Sequence, residues 1–166
     1  MKAITIWGAW AAAIMHLDKR VENRVWSPSS TELSGAFALH SGVNLGATSS
    51  RSAADREING VIDMAYRAGW LCRWVAPGVT VFKRGNETAV IEWPKVPLGQ
   101  VFAVAQLGGM LYTPEGEDPR RPWCVPGQHH WVLANVKMLK NPVACRGRQR
   151  LWNLPPLVER AVRAQL

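Results

Sequence analysis

The stretch Arg20-Val21-Glu22-Asn23-Arg24-Val25-Trp26 alternates between short apolar or amide side chains and charged or aromatic ones. An extended chain turns successive side chains to opposite faces. Val21, Asn23 and Val25 therefore share one side, while Glu22, Arg24 and Trp26 share the other. A charged pair and an aromatic ring on one face predict a strand that borders something more than a plain core.

Upstream, Lys2-Ala-Ile-Thr-Ile-Trp7 also alternates and is β-prone, Gly8 breaks it, and Trp10 to Leu17 favours a short helix. Downstream, residues 27–35 are rich in Ser, Pro, Thr and Gly and predict a loop, followed by a strand over 36–40 with His40 at its end. The spacing of Ala54, Ile58, Ile62, Ala65 and Tyr66 predicts an amphipathic helix over about 52–68 that packs on the sheet and does no chemistry. Val79–Phe82 and Thr88–Trp93 predict a hairpin around Arg84-Gly85-Asn86. Gln100–Leu107 reads as a buried strand, 112–122 as a charged loop, and Trp131–Leu139 and Arg150–Leu154 as two further strands. Pro155-Pro156 opens a C-terminal helix to about Ala164. Many strands with few helices predict one α+β domain over 1–166, a closed or nearly closed mixed β-barrel with flanking helices.

Composition narrows the function classes. A 166-residue chain with 48% apolar and 19% charged residues suits one globular core. Its nine tryptophans exceed what packing alone requires and suggest stacking surfaces. Residues 1–118 carry 11 basic and 11 acidic side chains, so the net +8 resides wholly in 119–166, where Glu159 stands against 9 basic residues. Such a concentrated field attracts polyanions, although a solvated, solubilising face would look the same. Cys72, Cys124 and Cys145 form no CxxC or Cys/His metal spacing, which predicts reduced thiols and a cytoplasmic location. His129-His130 are adjacent strand residues facing opposite ways, so no metal is predicted, nor any cofactor. The apolar run Ala3–Met15 imitates a signal peptide but is too short to span a bilayer and lacks a small-residue cleavage site beyond it; no membrane partner is expected.

Leu17-Asp18-Lys19-Arg20-Val21-Glu22-Asn23-Arg24 resembles the G-x-K-x-x-E-x-R signature of ASCH domains, a branch of the PUA-like superfamily, with Leu17 where the signature has glycine. Ile6-Trp7 with Trp10, Ala38-Leu39-His40-Ser41, and Gly127-Gln128-His129-His130-Trp131-Val132-Leu133 are similar to other parts of that family. The run from Pro142 to Trp152 is similar to one in phage-associated and bacterial members. Residues 70–98 fit the pattern poorly and read as an insertion. The resemblance implies a PUA-like barrel with a central cleft and links to RNA binding, coactivator roles, hydrolysis of N4-acylated cytidines and, in one branch, ribonuclease activity.

Lys19, Glu22 and Arg24 are the residues expected to carry any catalysis. A lysine made less basic by burial or by Arg20 and Arg24 serves as nucleophile or base, a carboxylate relays the proton, and the guanidinium stabilises developing charge. Acylcytidine amidohydrolases of this family tend to carry threonine at the position of Glu22, and a second carboxylate would come from Glu92, Glu115 or Glu117. Binding without catalysis asks less: Arg24 grips a phosphate or carbonyl, Glu22 accepts from an exocyclic amine, and a tryptophan stacks on the base. Trp7, Trp10, Trp26, His40, Ser41, His130 and Trp131 are the expected ligand-binding residues, with Trp123 a further stacking candidate. Arg146, Arg148 and Arg150, alternating with Gly147 and Gln149, would form a phosphate track, with Lys137 and Lys140 as possible extensions. The leading expectation is thus a module binding RNA, DNA or a modified nucleoside. A hydrolase using the same cleft and a protein-interaction module are the alternatives, and a structural salt-bridge network or a charged protective strand edge would use the same side chains.

Overall fold

The computed structural model describes residues 1–28, 33–117 and 121–166. In chain order they form β1 (Lys2–Ile6), α1 (Gly8–His16), β2 (Val21–Arg24), β3 (Phe37–Ser41), α2 (Arg51–Arg67), β4 (Leu71–Ala76), β5 (Val79–Arg84), β6 (Glu87–Glu92), β7 (Gln100–Thr113), β8 (Gln128–Ala144), β9 (Leu151–Asn153) and α3 (Pro156–Arg163). The fold is α+β. Parts of the expected loops, residues 29–32 and 118–120, lie outside the described residues.

Six strands make the main sheet in the order β2-β8-β7-β3-β1-β9. The β1–β3 pair is parallel and every other neighbour antiparallel, with Thr5 opposite His40 and Glu22 opposite Trp131. The β7–β8 register shifts three times along its length, and Asn135 takes a left-handed conformation (φ 50°) at the central shift. Each bulge adds local twist and bend. The sheet consequently curls until Arg24 Nη2 on β2 donates to the Thr5 carbonyl on β1 across 2.6 Å, although β8, β7 and β3 intervene in the ladder.

The closed barrel expected from the strand count is not what forms. Among the described residues no ladder joins β2 to β9, and the gap between the two ends of the curl is crossed by side chains instead. Both end strands are short, and among the described residues each pairs with its inner neighbour alone, β2 with β8 over four residues and β9 with β1 over three.

The concave side is filled by α1, whose Gly8, Ala9, Ala11, Ala12, Ala13 and Ile14 are all buried. Small side chains let the helix sit inside the curl, with Ala11 and Ile14 against Ile4, Phe37, Leu39 and Trp131, and Ala9, Ala12 and Ala13 against the layer containing Ile58, Val61 and Ala65 of α2. Ser50 caps α2 by accepting from Ala53 N at 3.3 Å. Residues 71–92 form a separate three-stranded sheet, β4-β5-β6, that buries Phe82 and Ile91 against the helices, with Trp70 and Trp93 flanking it. The expected hairpin is present. Strand β4 extends it beyond the sequence reading, as β7 and β8 extend theirs.

Candidate functional site

Asp18, the residue after the α1 C-cap, takes a left-handed turn (φ 56°) that reverses the chain into β2. Asp tolerates that conformation, and Leu17, with φ −118°, needs no glycine; its side chain is wholly buried in the core. The turn drops Lys19 into the curl with 1% of its surface exposed. Its Nζ donates to the Val21 carbonyl and to Glu22 Oε2 (3.1 Å), and lies 5.7 Å from the Trp10 ring centroid. Glu22 Oε1 is 3.0 Å from Arg24 Nε, an ion pair whose N–H is not aimed at the oxygen. Glu22 thus sits between two cations. Burial lowers the pKa of Lys19 below the ordinary lysine range, Glu22 opposes that shift, and Arg24 adds to it.

Two connected hollows open here. The inner lobe, about 420 Å³, is bordered by Trp7, Trp10, Lys19, Glu22, Trp26 and Glu57 among others. The outer lobe, about 660 Å³, is bordered by Trp7, Arg24, Trp26, His40 and the run 146–150. Trp7, Arg24, Val25 and Trp26 belong to both, so they form the partition of one composite cleft. Trp7 is 46% exposed on that partition, which leaves its indole open for stacking.

The lobes differ in charge. Among the described residues no carboxylate borders the outer lobe, whereas Arg24, Arg146, Arg148 and Arg150 do. The latter three are exposed and make no salt bridge among the described residues. The run 145–150 is held against the sheet where Gly147 lies over β1 and β3. A Cβ at Gly147 would stand 2.5 Å from His40 Cε1 and 2.8 Å from Thr5 Oγ1, closer than real atoms approach. His40 Nε2 is 3.0 Å from the Cys145 carbonyl. A carbonyl only accepts, so Nε2 carries the hydrogen and the buried Nδ1 is a bare, unpartnered acceptor beside the equally unpartnered Thr5 Oγ1. Burial lowers the His40 pKa, against the opposing pull of the Cys145 carbonyl.

Several expected site residues stand elsewhere. Trp131 is wholly buried, edge-on to Trp26 at 4.9 Å between centroids, and its role is packing. Ser41 is buried and donates to the Gln100 carbonyl at 3.2 Å, tying β3 to β7. Trp123 is buried as well. His130 faces away from the cleft because Asn23, its partner across the ladder, alternates with Glu22 and Arg24. Asn23 Oδ1 accepts from Val125 N (3.2 Å) and its Nδ2 donates to the Trp123 carbonyl (2.8 Å). That orientation makes His130 Nδ1 the donor to Oδ1 (2.8 Å) and leaves Nε2 to accept from Thr113 Oγ1 (2.9 Å). This trio braces β2, β8 and β7. Lys137 donates to the Leu166 carbonyl, and Lys140 borders neither lobe.

A second carboxylate at the inner lobe is Glu57, a residue outside the sequence expectations. Glu92 pairs with Lys95 outside the cleft, and Glu115 and Glu117 lie beyond the end of β7. Glu57 reaches the inner lobe from α2, the helix expected to do no chemistry, and its Oε2 accepts from Trp10 Nε1 at 2.7 Å. Gly60, on the same face one turn later, lets the Trp10 ring come this close: a Cβ there would meet Trp10 Cζ2 at 3.2 Å.

Cys72, Cys124 and Cys145 are free thiols. Among the described residues no His, Cys, Asp and Glu cluster has metal-binding geometry, and no helix is long and apolar enough to cross a membrane. Compared with protein-family models and with curated proteins, the chain matches none.

Proposed function

We propose that this protein binds single-stranded nucleic acid, RNA foremost, or a modified nucleoside, with a base in the inner lobe and backbone phosphates in the outer one. The observation that carries this reading is the pairing of the two lobes across an aromatic partition. Four guanidinium groups, with no carboxylate beside them among the described residues, suit phosphates, while Trp7, Trp10 and Trp26 beside polar groups suit an unstacked base. The curled sheet, the helix inserted between β1 and β2, and Lys19, Glu22 and Arg24 gathered at one cleft support placing the chain in the ASCH branch of the PUA-like superfamily. Three unpaired thiols support a cytoplasmic setting.

A hydrolase is the second reading, favoured by one observation: a buried lysine of lowered basicity opposite a second carboxylate, Glu57. In it Lys19 is base or nucleophile towards an N4-acylcytidine amide. Two of the Lys19 ammonium hydrogens are already given to Val21 and Glu22, which favours binding. Titration with an RNA oligonucleotide at rising salt tests the first reading and expects salt-sensitive association; no association at low salt overturns it. Deacylation of N4-acylcytidines that disappears in Lys19→Ala would replace it with the second.

A further inference from the structure

The inner lobe holds two cations and two carboxylates, Lys19 and Arg24 with Glu22 and Glu57, but they are unevenly paired. Lys19 and Arg24 both address Glu22, which leaves Glu57 with no Lys or Arg within 4.0 Å among the described residues. Glu57 is half-buried, and among the described residues its one hydrogen bond comes from the indole of Trp10. A carboxylate so placed, beside Trp7, Trp10 and Trp26, offers a neutral base stacking and an acceptor for an exocyclic amine, but no charge to match its own. A planar cation gains twice, from the carboxylate by Coulomb attraction and from the indoles by cation–π attraction. The outer lobe is bordered by arginines and, among the described residues, by no acid. The cleft is thus polarised along its length, and a ligand that matches it is positive and flat at one end and anionic at the other.

Resting on the binding reading above, we infer that the inner lobe selects a nucleotide whose base is positively charged, an N-alkylated purine or pyrimidine, over its neutral parent, with Glu57 the residue that discriminates. Ordinary bases are neutral at pH 7, so the alkyl group changes the charge that Glu57 meets without changing the phosphates that the arginines meet. A compact ammonium would satisfy the carboxylate but leave the indole faces unused.

The test is a titration of the full chain with two single-stranded RNA oligonucleotides identical except that one central adenosine is replaced by 1-methyladenosine, repeated with cytidine and 3-methylcytidine. The methylated strand is expected to bind about 5- to 30-fold more tightly. In Glu57→Gln, where the amide oxygen still accepts from Trp10, the ratio of the two affinities is expected to fall to about 2- to 3-fold, the part the indoles retain; a general weakening cancels in that ratio. Equal, salt-sensitive binding of both strands by the wild type overturns the selectivity and leaves the nucleic-acid reading standing. A ratio unchanged in Glu57→Gln overturns the assignment to Glu57. Failure of both strands to bind at low salt overturns both readings together.

Discussion

The two lobes of the cleft are built on different physics. In the inner lobe Lys19 and Glu22 are buried and locked to each other and to Arg24. Their placement follows from the core around them, so the lobe and the fold stand or fall together. In the outer lobe Arg146, Arg148 and Arg150 are exposed on a run anchored chiefly through Gly147 and the Cys145 carbonyl. Charge there costs the fold almost nothing, and it is free to act on a ligand. One half of the cleft is set by stability, the other by electrostatic field.

Substitutions break that contrast to different degrees. Glu22→Ala leaves two cations without their shared carboxylate, one of them fully buried, and is expected to cost about 3–5 kcal/mol by urea unfolding. Gly147→Ala should cost about 1–3 kcal/mol by the same measurement, because the new Cβ must push His40 or the run 145–150 aside. Replacing Arg146, Arg148 and Arg150 together by Gln should change stability by no more than about 0.5 kcal/mol. RNA affinity should nevertheless fall, and the slope of log affinity against log salt should become shallower by about 2. A large loss of stability in that triple variant would erase the distinction between the lobes.

The smallest effect is in pH. Burial lowers the pKa of His16, His40 and His130, with His129 adding to the effect at His130. Below the ordinary histidine value of about 6.5 the unfolded chain takes up protons that the folded one refuses. Stability is therefore full above that pH and declines as pH falls towards the lowered folded values. Urea midpoints between pH 8 and pH 5 should show this decline, and His40→Gln should reduce it. A midpoint that rises on acidification would reverse the sign assigned to these groups.

Much of the inner lobe was legible because alternation is a local property. Glu22 and Arg24 share a face in the sequence and are ion-paired in the fold, and Trp26, just past the end of β2, borders the same lobe. The facing of His130 depends on its register with Asn23, which turns it away from the cleft, whereas Trp131 shares the face of Glu22 but is wholly buried against Trp26, and neither the register nor the burial is a local property of the sequence. Glu57 was missed because α2 was read by its apolar stripe alone. The trace it left was Gly60, three residues on, an interior helix glycine that marks a close approach to that face. The β7 and β8 strands were read too short because Gly108-Gly109 and Asn141-Pro142 look like breakers; within bulged and edge-exposed segments they are tolerated. Closure of the barrel was over-read, since strand count says nothing about whether the end strands meet.

The position of β1 bears on how the molecule assembles. It lies between β3, some thirty residues downstream, and β9, which begins at Leu151. During synthesis β1 therefore lacks one of its two neighbours until residues 151–153 have been made. Non-local pairing of this kind slows folding, so the last step expected is the docking of β9, which also draws the arginine run across Thr5 and His40. A nascent chain would acquire its hydrophobic interior first and its anion-attracting surface last.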